Sequence, residues 1–202
     1  MSGIDRLISF TLSTEIKKKM ESEILKKIER ELFLDSGMSI KLSIEHFDNF
    51  IRVLEKNSNL DVKRFVTECI EKIIKIKKID DKYSIEIINS NLRDLVLESF
   101  GDLETRKIIS CILENELTIP EILQKSEVPK TSGYRKIENM IINGLIIESG
   151  IVLSDSKKIS KLQCVFQEIN LDIKKEKTRV IGILTNKMLE KSSSVKSFID
   201  RF

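Results

Sequence analysis

The sequence predicts an α+β fold that is mainly α, in which an N-terminal helical region precedes a helix-turn-helix and a set of β-hairpins. Three observations support this prediction. Apolar residues recur at helical spacing through much of the first 145 positions. The two prolines, Pro120 and Pro129, stand at the starts of two short adjacent helices. After Leu145 the apolar period shortens to two, which is the spacing of strands.

The N-terminal region contains three predicted helices, each preceded by a residue whose side chain can accept a hydrogen bond from the first helical turn. In the first of them Ile16, Met20 and Ile24 recur four positions apart, as on one face of a helix. Gly37 offers a left-handed stop after it. The predicted N-caps are Ser13, Ser39 and Asp61, and the helices cover residues 13–33, 40–56 and 61–77.

A turn, a strand and two more helices follow. The run KIDDK at residues 78–82 favours a turn. In YSIEII, Tyr83, Ile85 and Ile87 alternate with the other residues, as they would in a strand. The first helix after this strand is predicted to start at Asn89 or Ser90 and to end at Gly101, and the second to start at Asp102.

Residues 118–145 predict a helix-turn-helix. Thr118 and Glu121 have the T-x-x-E spacing of a capping box, in which the two residues satisfy each other's backbone N–H groups. Pro120 fits the first turn of this helix, where a missing N–H costs little. Pro129 cannot continue the helix, so a short turn must separate it from the next one.

The second helix of this pair is predicted over residues 130–143, ending at Gly144. With Ile137 at the centre of its buried face, Gly133, Met140 and Ile141 fall within about 60° of that centre. The outward face then carries Thr131, Ser132, Arg135 and Asn139, with Lys130 and Lys136 near its margins and Tyr134 at one edge of the core stripe.

These outward side chains suit double-stranded DNA. Arg135 can donate two hydrogen bonds to a guanine, and Asn139 can pair with an adenine in a similar way. The small hydroxyl residues Thr131 and Ser132 permit close approach and phosphate contacts, and a helix N-terminus itself attracts phosphate. We therefore predict that helix 130–143 enters the major groove.

A small β-hairpin is predicted directly after this helix, in GLIIESGIVLS, with its turn at Glu148–Gly150. A helix-turn-helix followed by such a hairpin is the winged-helix arrangement. Beside this wing lie Lys157, Lys158 and Lys161, which we predict to contact phosphates. Later strands are predicted at residues 161–166, 169–173 and 179–184, the last two joined by a turn at KKEK.

The run VPKTSGYRKIENMIINGLIIESG resembles the recognition helix and wing of archaeal ArsR-like winged-helix transcription regulators. The shared core is Lys130, Thr131, Ser132, Tyr134, Arg135 and Ile137, followed by Gly144 and Leu145. The resemblance extends over about residues 97–184, and the region before it is similar to an N-terminal helical extension of some archaeal members. It implies transcriptional regulation through DNA, usually as a homodimer. The paired cysteines and histidines of metal-sensing members are missing, which removes metal sensing from the expectation.

The complete predicted fold is thus an N-terminal helical region followed by a winged helix-turn-helix with an additional C-terminal β-hairpin. We assign residues 1–82 to an N-terminal helical domain for dimerisation or sensing. Residues 83–184 form the predicted DNA-binding domain, and residues 185–202 a marginally ordered tail with one short helix at 187–191. The N-terminal helix is expected both to pack within the chain and to pair with its copy in a homodimer.

Composition excludes several other classes. The net charge of +3 is too small to indicate nucleic acid by itself, so the basic surface must be local. Three widely spaced cysteines and one histidine predict neither disulfides nor a metal site, and favour a cytoplasmic protein. No apolar run approaches the length of a membrane span, and no catalytic or cofactor motif is present, so we expect no enzyme and no cofactor.

Two alternatives to DNA reading stay open at this stage. In the first, the winged helix is a protein-interaction scaffold within transcription or chromosome machinery and reads no bases, because fold alone does not decide function. In the second, a pocket between the N-terminal helices and the strand at residues 83–88 senses a small-molecule effector of unknown identity. This second alternative depends only on the order of the predicted domains.

Overall fold

The computed structural model describes residues 3–154 and 157–199, and it has an α+β architecture. Helices hold 58% of the described residues and strands 24%, which confirms an α+β fold that is mainly α. None of the described helices is both long and apolar enough to cross a membrane.

The helices are α1 Gly3–Lys19, α2 Ser22–Ser36, α3 Ile40–Ile44, α4 Phe47–Asn57, α5 Val62–Glu71, α6 Ser90–Gly101, α7 Leu103–Ile112, α8 Ile119–Ser126, α9 Lys130–Ile142, α10 Asn186–Glu190 and α11 Ser193–Ile199. The strands are β1 Ile74–Ile79, β2 Lys82–Ile87, β3 Ile146–Ser154, β4 Lys157–Cys164, β5 Glu168–Lys174 and β6 Lys177–Thr185.

The single helix predicted over residues 13–33 is wrong, because the chain forms α1 and α2 with a break at Met20–Glu21. Ser13 is not an N-cap but lies inside α1, where its hydroxyl donates to the Phe10 carbonyl at 2.7 Å. In a straight helix, Ile16 and Ile28 would point about 120° apart, since each residue turns the helix by about 100°. The extended backbone of Glu21 redirects the chain, so that both side chains become fully buried.

The next two predicted helices are each partly correct. Ser39 and Asp61 are N-caps as predicted, and Gly37 adopts the expected left-handed conformation. The helix predicted over 40–56 is interrupted at His46, which separates α3 from α4. The helix predicted over 61–77 ends at Glu71, because residues 74–79 form β1 and pair with β2.

Strands distant in sequence meet in one antiparallel sheet, in the order β1-β2-β6-β5. The hairpins β1–β2 and β5–β6 are joined by the pairing of β2 with β6, in which Ile85 lies opposite Gly182. A Cβ atom on Gly182 would lie 2.2 Å from the Phe166 ring, so glycine allows this aromatic side chain to pack on the sheet. The domain boundary predicted between residues 82 and 83 falls at the β1–β2 hairpin, and the division into domains stays a prediction.

The C-terminal region packs against the first helix. Helix α10 confirms the short helix predicted near residues 187–191, whereas α11 was not predicted from the sequence. The buried Asp5 carboxylate of α1 accepts hydrogen bonds from the hydroxyl groups of Ser192 and Ser194 and, at 3.0 Å, from the backbone N–H of Ser193. Burial raises the pKa of the Asp5 carboxyl group. The described part of the tail is thus helical and anchored, and residues 200–202 lie outside the described residues.

Candidate nucleic-acid interface

Helix α8 begins at the predicted capping box. The Glu121 carboxylate accepts hydrogen bonds from the backbone N–H of Thr118 at 2.7 Å and from its hydroxyl at 2.8 Å. These bonds hold the pKa of Glu121 below its usual value. Just before α8, Leu117 forms an antiparallel bridge with Leu162 of β4, through N–O distances of 3.0 and 2.7 Å. The start of α8 is therefore fixed to the β3–β4 hairpin by backbone hydrogen bonds.

The turn between α8 and α9 is short and tightly packed. Glu127 adopts a left-handed conformation with φ of 55°, and Val128 then returns to the core. Close approach of the two helices occurs at Gly133, where a Cβ atom would lie 2.2 Å from a methyl group of the buried Leu123. Pro129 precedes α9, which starts at Lys130 as the sequence predicted.

Helix α9 has the predicted buried face. Ile137 is fully buried, and Gly133 and Met140 lie beside it in the core. Gly144, with φ of 75°, ends the helix against the backbone of α1. Arg6 of α1 adds a hydrogen bond to the Ile141 carbonyl at 3.1 Å. The inner side of α9 is thus held by the core, and its C-terminal end by α1.

The outer face of α9 lies in contact with solvent. The side chains of Arg135 and Asn139 are exposed and form no hydrogen bond or ion pair with the described residues. Lys130, Thr131 and Tyr134 are also exposed, while Ser132 is half-buried and its hydroxyl donates to the Pro129 carbonyl at 3.1 Å. Five of the seven α9 residues predicted to contact DNA are therefore exposed at this surface.

Lys136 differs from the other predicted contacts. Its ammonium group lies 2.7 Å from the Asp102 carboxylate and 3.5 Å from that of Glu104. Asp102 also caps α7 through the backbone N–H and hydroxyl of Thr105. The hydrogen bond from Lys136, with those from Thr105, holds the pKa of Asp102 well below its usual range. The charge of Lys136 is thus compensated inside the protein, which the sequence did not indicate.

The hairpin after α9 differs from the predicted one. No turn occurs at Glu148–Gly150, because β3 continues from Ile146 to Ser154 with a bulge between Glu148 and Gly150. Its partner β4 begins at Lys157, and residues 155–156, which connect the strands, lie outside the described residues. The hairpin is therefore longer than predicted, and the strand predicted at 161–166 in fact covers 157–164.

The three predicted phosphate contacts on this hairpin fall on two faces. Lys157 and Lys158 are exposed at the far end, next to the connection between the strands. Alternation along β4 places Lys157 and Lys161 on one face and Lys158 on the other. Lys161 is half-buried, and its charge contributes to the lowered pKa of Glu121 on α8.

An open cleft borders the outer face of α9. It has a volume of about 420 Å³ and lies between α9 and the helices α6 and α7. Arg135 and Asn139 contribute to one side, and Glu98 and Asp102 to the other. The cleft therefore brings carboxylates to one margin of the outer face of α9.

The described residues offer little to a metal ion. Among residues 3–154 and 157–199, no group of three or more His, Cys, Asp or Glu residues is arranged so that it could hold a metal ion. Burial raises the pKa of Cys69 to about 11 and that of Cys164 to about 12, so these thiols stay protonated near neutral pH and are poor metal ligands.

Comparisons of the chain with protein-family models, curated proteins and solved structures found no match. The resemblance to ArsR-like regulators, carried by the motif at residues 130–145, therefore stays a prediction.

Proposed function

We propose that the chain binds double-stranded DNA, reads base edges in the major groove through α9 and regulates transcription. The observation that carries the proposal is the outer face of α9, where Arg135 and Asn139 are exposed and unpaired among the described residues, while Ile137 on the opposite face is fully buried. A rigidly held helix with free bidentate donors has the properties that base recognition requires.

The arrangement around α9 supports the same proposal. Residues 103–164 follow the order helix, single bridge, helix, helix and hairpin, which is the order expected of a winged helix. In this proposal Lys157 and Lys158, at the far end of the hairpin, contact the phosphate backbone beside the groove. Lys130, at the N-terminus of α9, adds charge where the helix dipole already attracts phosphate.

The test is the substitution Arg135→Ala, measured on a duplex selected by the wild-type chain from a randomised DNA library. Removal of a bidentate hydrogen bond to guanine should weaken binding by about 1–3 kcal/mol and relax sequence preference at one base pair. Arg30→Ala is a matched control, because Arg30 is also an exposed helical arginine without a hydrogen bond or ion pair among the described residues. Equal affinities for wild type and Arg135→Ala on every duplex would refute base reading by α9.

A second candidate function is protein docking through the same surface, and one observation favours it. Ile142 on α9 and Ile151 and Leu153 on β3 are exposed apolar side chains that phosphate contacts do not require. A salt titration separates the two functions, since DNA binding through several phosphates weakens steeply as salt rises. If the chain shows no salt-dependent DNA binding, docking of a protein becomes the better proposal.

A further inference from the structure

The two edges of the four-stranded sheet differ in composition. Strand β5 lies at one edge and β1 at the other, and neither has a second neighbour among the described residues. On β5, Leu171 is 45% exposed and Ile173 is 74% exposed, and the strand contains neither a proline nor a bulge. An edge strand with exposed apolar side chains and neither of these two protections can act as a template for pairing with another strand.

We propose that β5 pairs antiparallel with β5 of a second copy of the chain, in a symmetric dimer centred on Leu171. The axis of such a dimer is perpendicular to the sheet, so that each side chain lies opposite a residue on the same face. This condition allows only registers in which one residue lies opposite its own copy at the dimer axis. The charges of the other residues then distinguish among these registers. Centring on Asn170 would set Glu168 opposite Asp172, and centring on Asp172 would set that carboxylate opposite itself.

Centring on Leu171 removes both repulsions. Glu168 then lies opposite Lys174 of the second copy, twice by symmetry, and Asn170 lies opposite Asp172. On the other face, Leu171 meets its own copy and Ile169 meets Ile173. No like charges lie opposite each other in this register, and its opposite-charge and apolar pairs favour association.

An apolar groove beside β5 fits the same arrangement. The groove has a volume of about 230 Å³ and is lined by Ile109 of α7, by Leu113 just after that helix, and by Ile169 and Leu171 of β5. In the proposed dimer, Ile173 of the second copy lies opposite Ile169. Its side chain, which is 74% exposed in the single chain, is thereby placed beside the groove. Pairing would thus remove apolar surface from water on both copies.

The opposite edge shows what protection against such pairing involves. Strand β1 reads IKIKKI, with Lys75, Lys77 and Lys78 exposed. Every symmetric register of β1 centred on residues 75 to 78 places a lysine opposite a lysine, either Lys75 against Lys77 or one lysine against its own copy. Lysines on an edge strand are a common means of preventing association. Strand β5 has no lysine at residues 168–173.

The experiment measures the dimer dissociation constant of the full chain by sedimentation equilibrium. Leu171→Lys places two ammonium groups opposite each other and should weaken the dimer by roughly tenfold or more. Ile79→Lys is the matched control, because Ile79 is 50% exposed on the β1 edge and should leave the dimer unchanged. Circular dichroism melting curves establish that both variants are folded.

A charge exchange tests the register. Glu168→Lys should weaken the dimer, and the double variant Glu168→Lys/Lys174→Glu should restore it. A wild-type chain that is monomeric at all concentrations, or a dimer insensitive to Leu171→Lys, would overturn the proposal. Loss of the dimer only in Phe33→Lys, at an exposed residue of α2, would instead locate the interface on the N-terminal helices. None of these results depends on DNA binding, which is measured separately through Arg135.

Discussion

The N-terminal helices and the surface formed by α9 and the β3–β4 hairpin both carry basic side chains, but the charges have different surroundings. In the N-terminal helices several basic side chains are paired, as for Lys17, whose ammonium lies 2.6 Å from the Glu29 carboxylate, although Arg30 of α2 is not. On the other surface, Arg135, Lys157 and Lys158 form no ion pair among the described residues. Basic residues whose charge is not compensated within the protein are the ones available to a polyanion.

This difference teaches that the number of lysines does not identify a nucleic-acid surface. The cluster at residues 17–19 contains more lysines than α9, yet Lys17, Lys18 and Lys19 each lie against a glutamate. Within α9 the same distinction applies, because Lys136 is paired with Asp102 while Arg135 is not.

The largest effect should come from breaking the contact that joins the two regions. A Cβ atom on Gly144 would lie 2.4 Å from the backbone nitrogen of Leu7, and the φ of 75° already disfavours other residues. We expect Gly144→Ala to lower the free energy of unfolding by roughly 3 kcal/mol or more, from strain and overpacking together. Urea denaturation measures this change.

The control for this prediction is Gly37→Ala. Gly37 has a similar φ of 65° but nothing within 4 Å of the added Cβ, so only the backbone cost of about 1 kcal/mol should be seen. Equal losses in the two variants would mean that the contact between α1 and the end of α9 is not as close as described.

The next largest effect is expected on the salt dependence of DNA binding, when lysines without an ion pair are compared with paired ones. In Lys157→Ala/Lys158→Ala the slope of log affinity for DNA against log salt should fall by about two, because each lysine that no longer meets a phosphate lowers the slope by about one. In Lys17→Ala/Lys19→Ala, which removes two paired lysines, the slope should not change. A similar fall in both double variants would show that pairing within the protein does not determine which lysines meet DNA.

A smaller effect, on the pH dependence of stability, is expected from Asp102, the carboxylate that pairs with Lys136 of α9. Because the folded-state pKa of Asp102 lies below its unfolded value, this carboxylate stabilises the fold above the unfolded pKa, and the contribution is lost as pH falls below about 4. Asp102→Asn should therefore show a smaller loss of stability than wild type as the pH is lowered from about 5 to about 3. The free energy of unfolding of both proteins is measured by urea denaturation at each pH. If it depends on pH identically in wild type and Asp102→Asn, the result argues against the Lys136–Asp102 pair.

The smallest effect is expected within the N-terminal helices. Lys17→Ala should change the free energy of unfolding by less than about 1 kcal/mol, since both partners of this ion pair are exposed to solvent. Thermal melts at low and high salt are sufficient to measure it. A change of several kcal/mol would mean that the pair is part of the packing rather than a compensated surface charge.

Features determined by nearby residues could be predicted from the sequence. The N-caps Ser39, Asp61, Asn89 and Asp102 and the capping box at Thr118 need only a side chain and the next helical turn, and all are present. The buried and exposed faces of α9 also follow from spacing alone. The candidate site was therefore predictable as far as the outer face of one helix.

Features that depend on distant partners could not be predicted in this way. Residues 74–77 continue the apolar pattern of α5 and become a strand only because β2 lies beside them. The Ser149-Gly150 pair has the composition of a turn, but continued pairing with β4 makes it a bulge. The pairing of Lys136 with Asp102 joins residues 34 positions apart, and no local signal indicates it.

The bond between Asp5 and the serines of residues 192–194 also determines when the fold can be completed. Asp5 and Ser192 are 187 positions apart, so a ribosome makes the second long after the first. Until then the carboxylate on α1 lacks these serine donors, and α1 lacks the cover of Val195, which is fully buried. Helix α1 therefore reaches its final environment only after the residues of α11 have been synthesised.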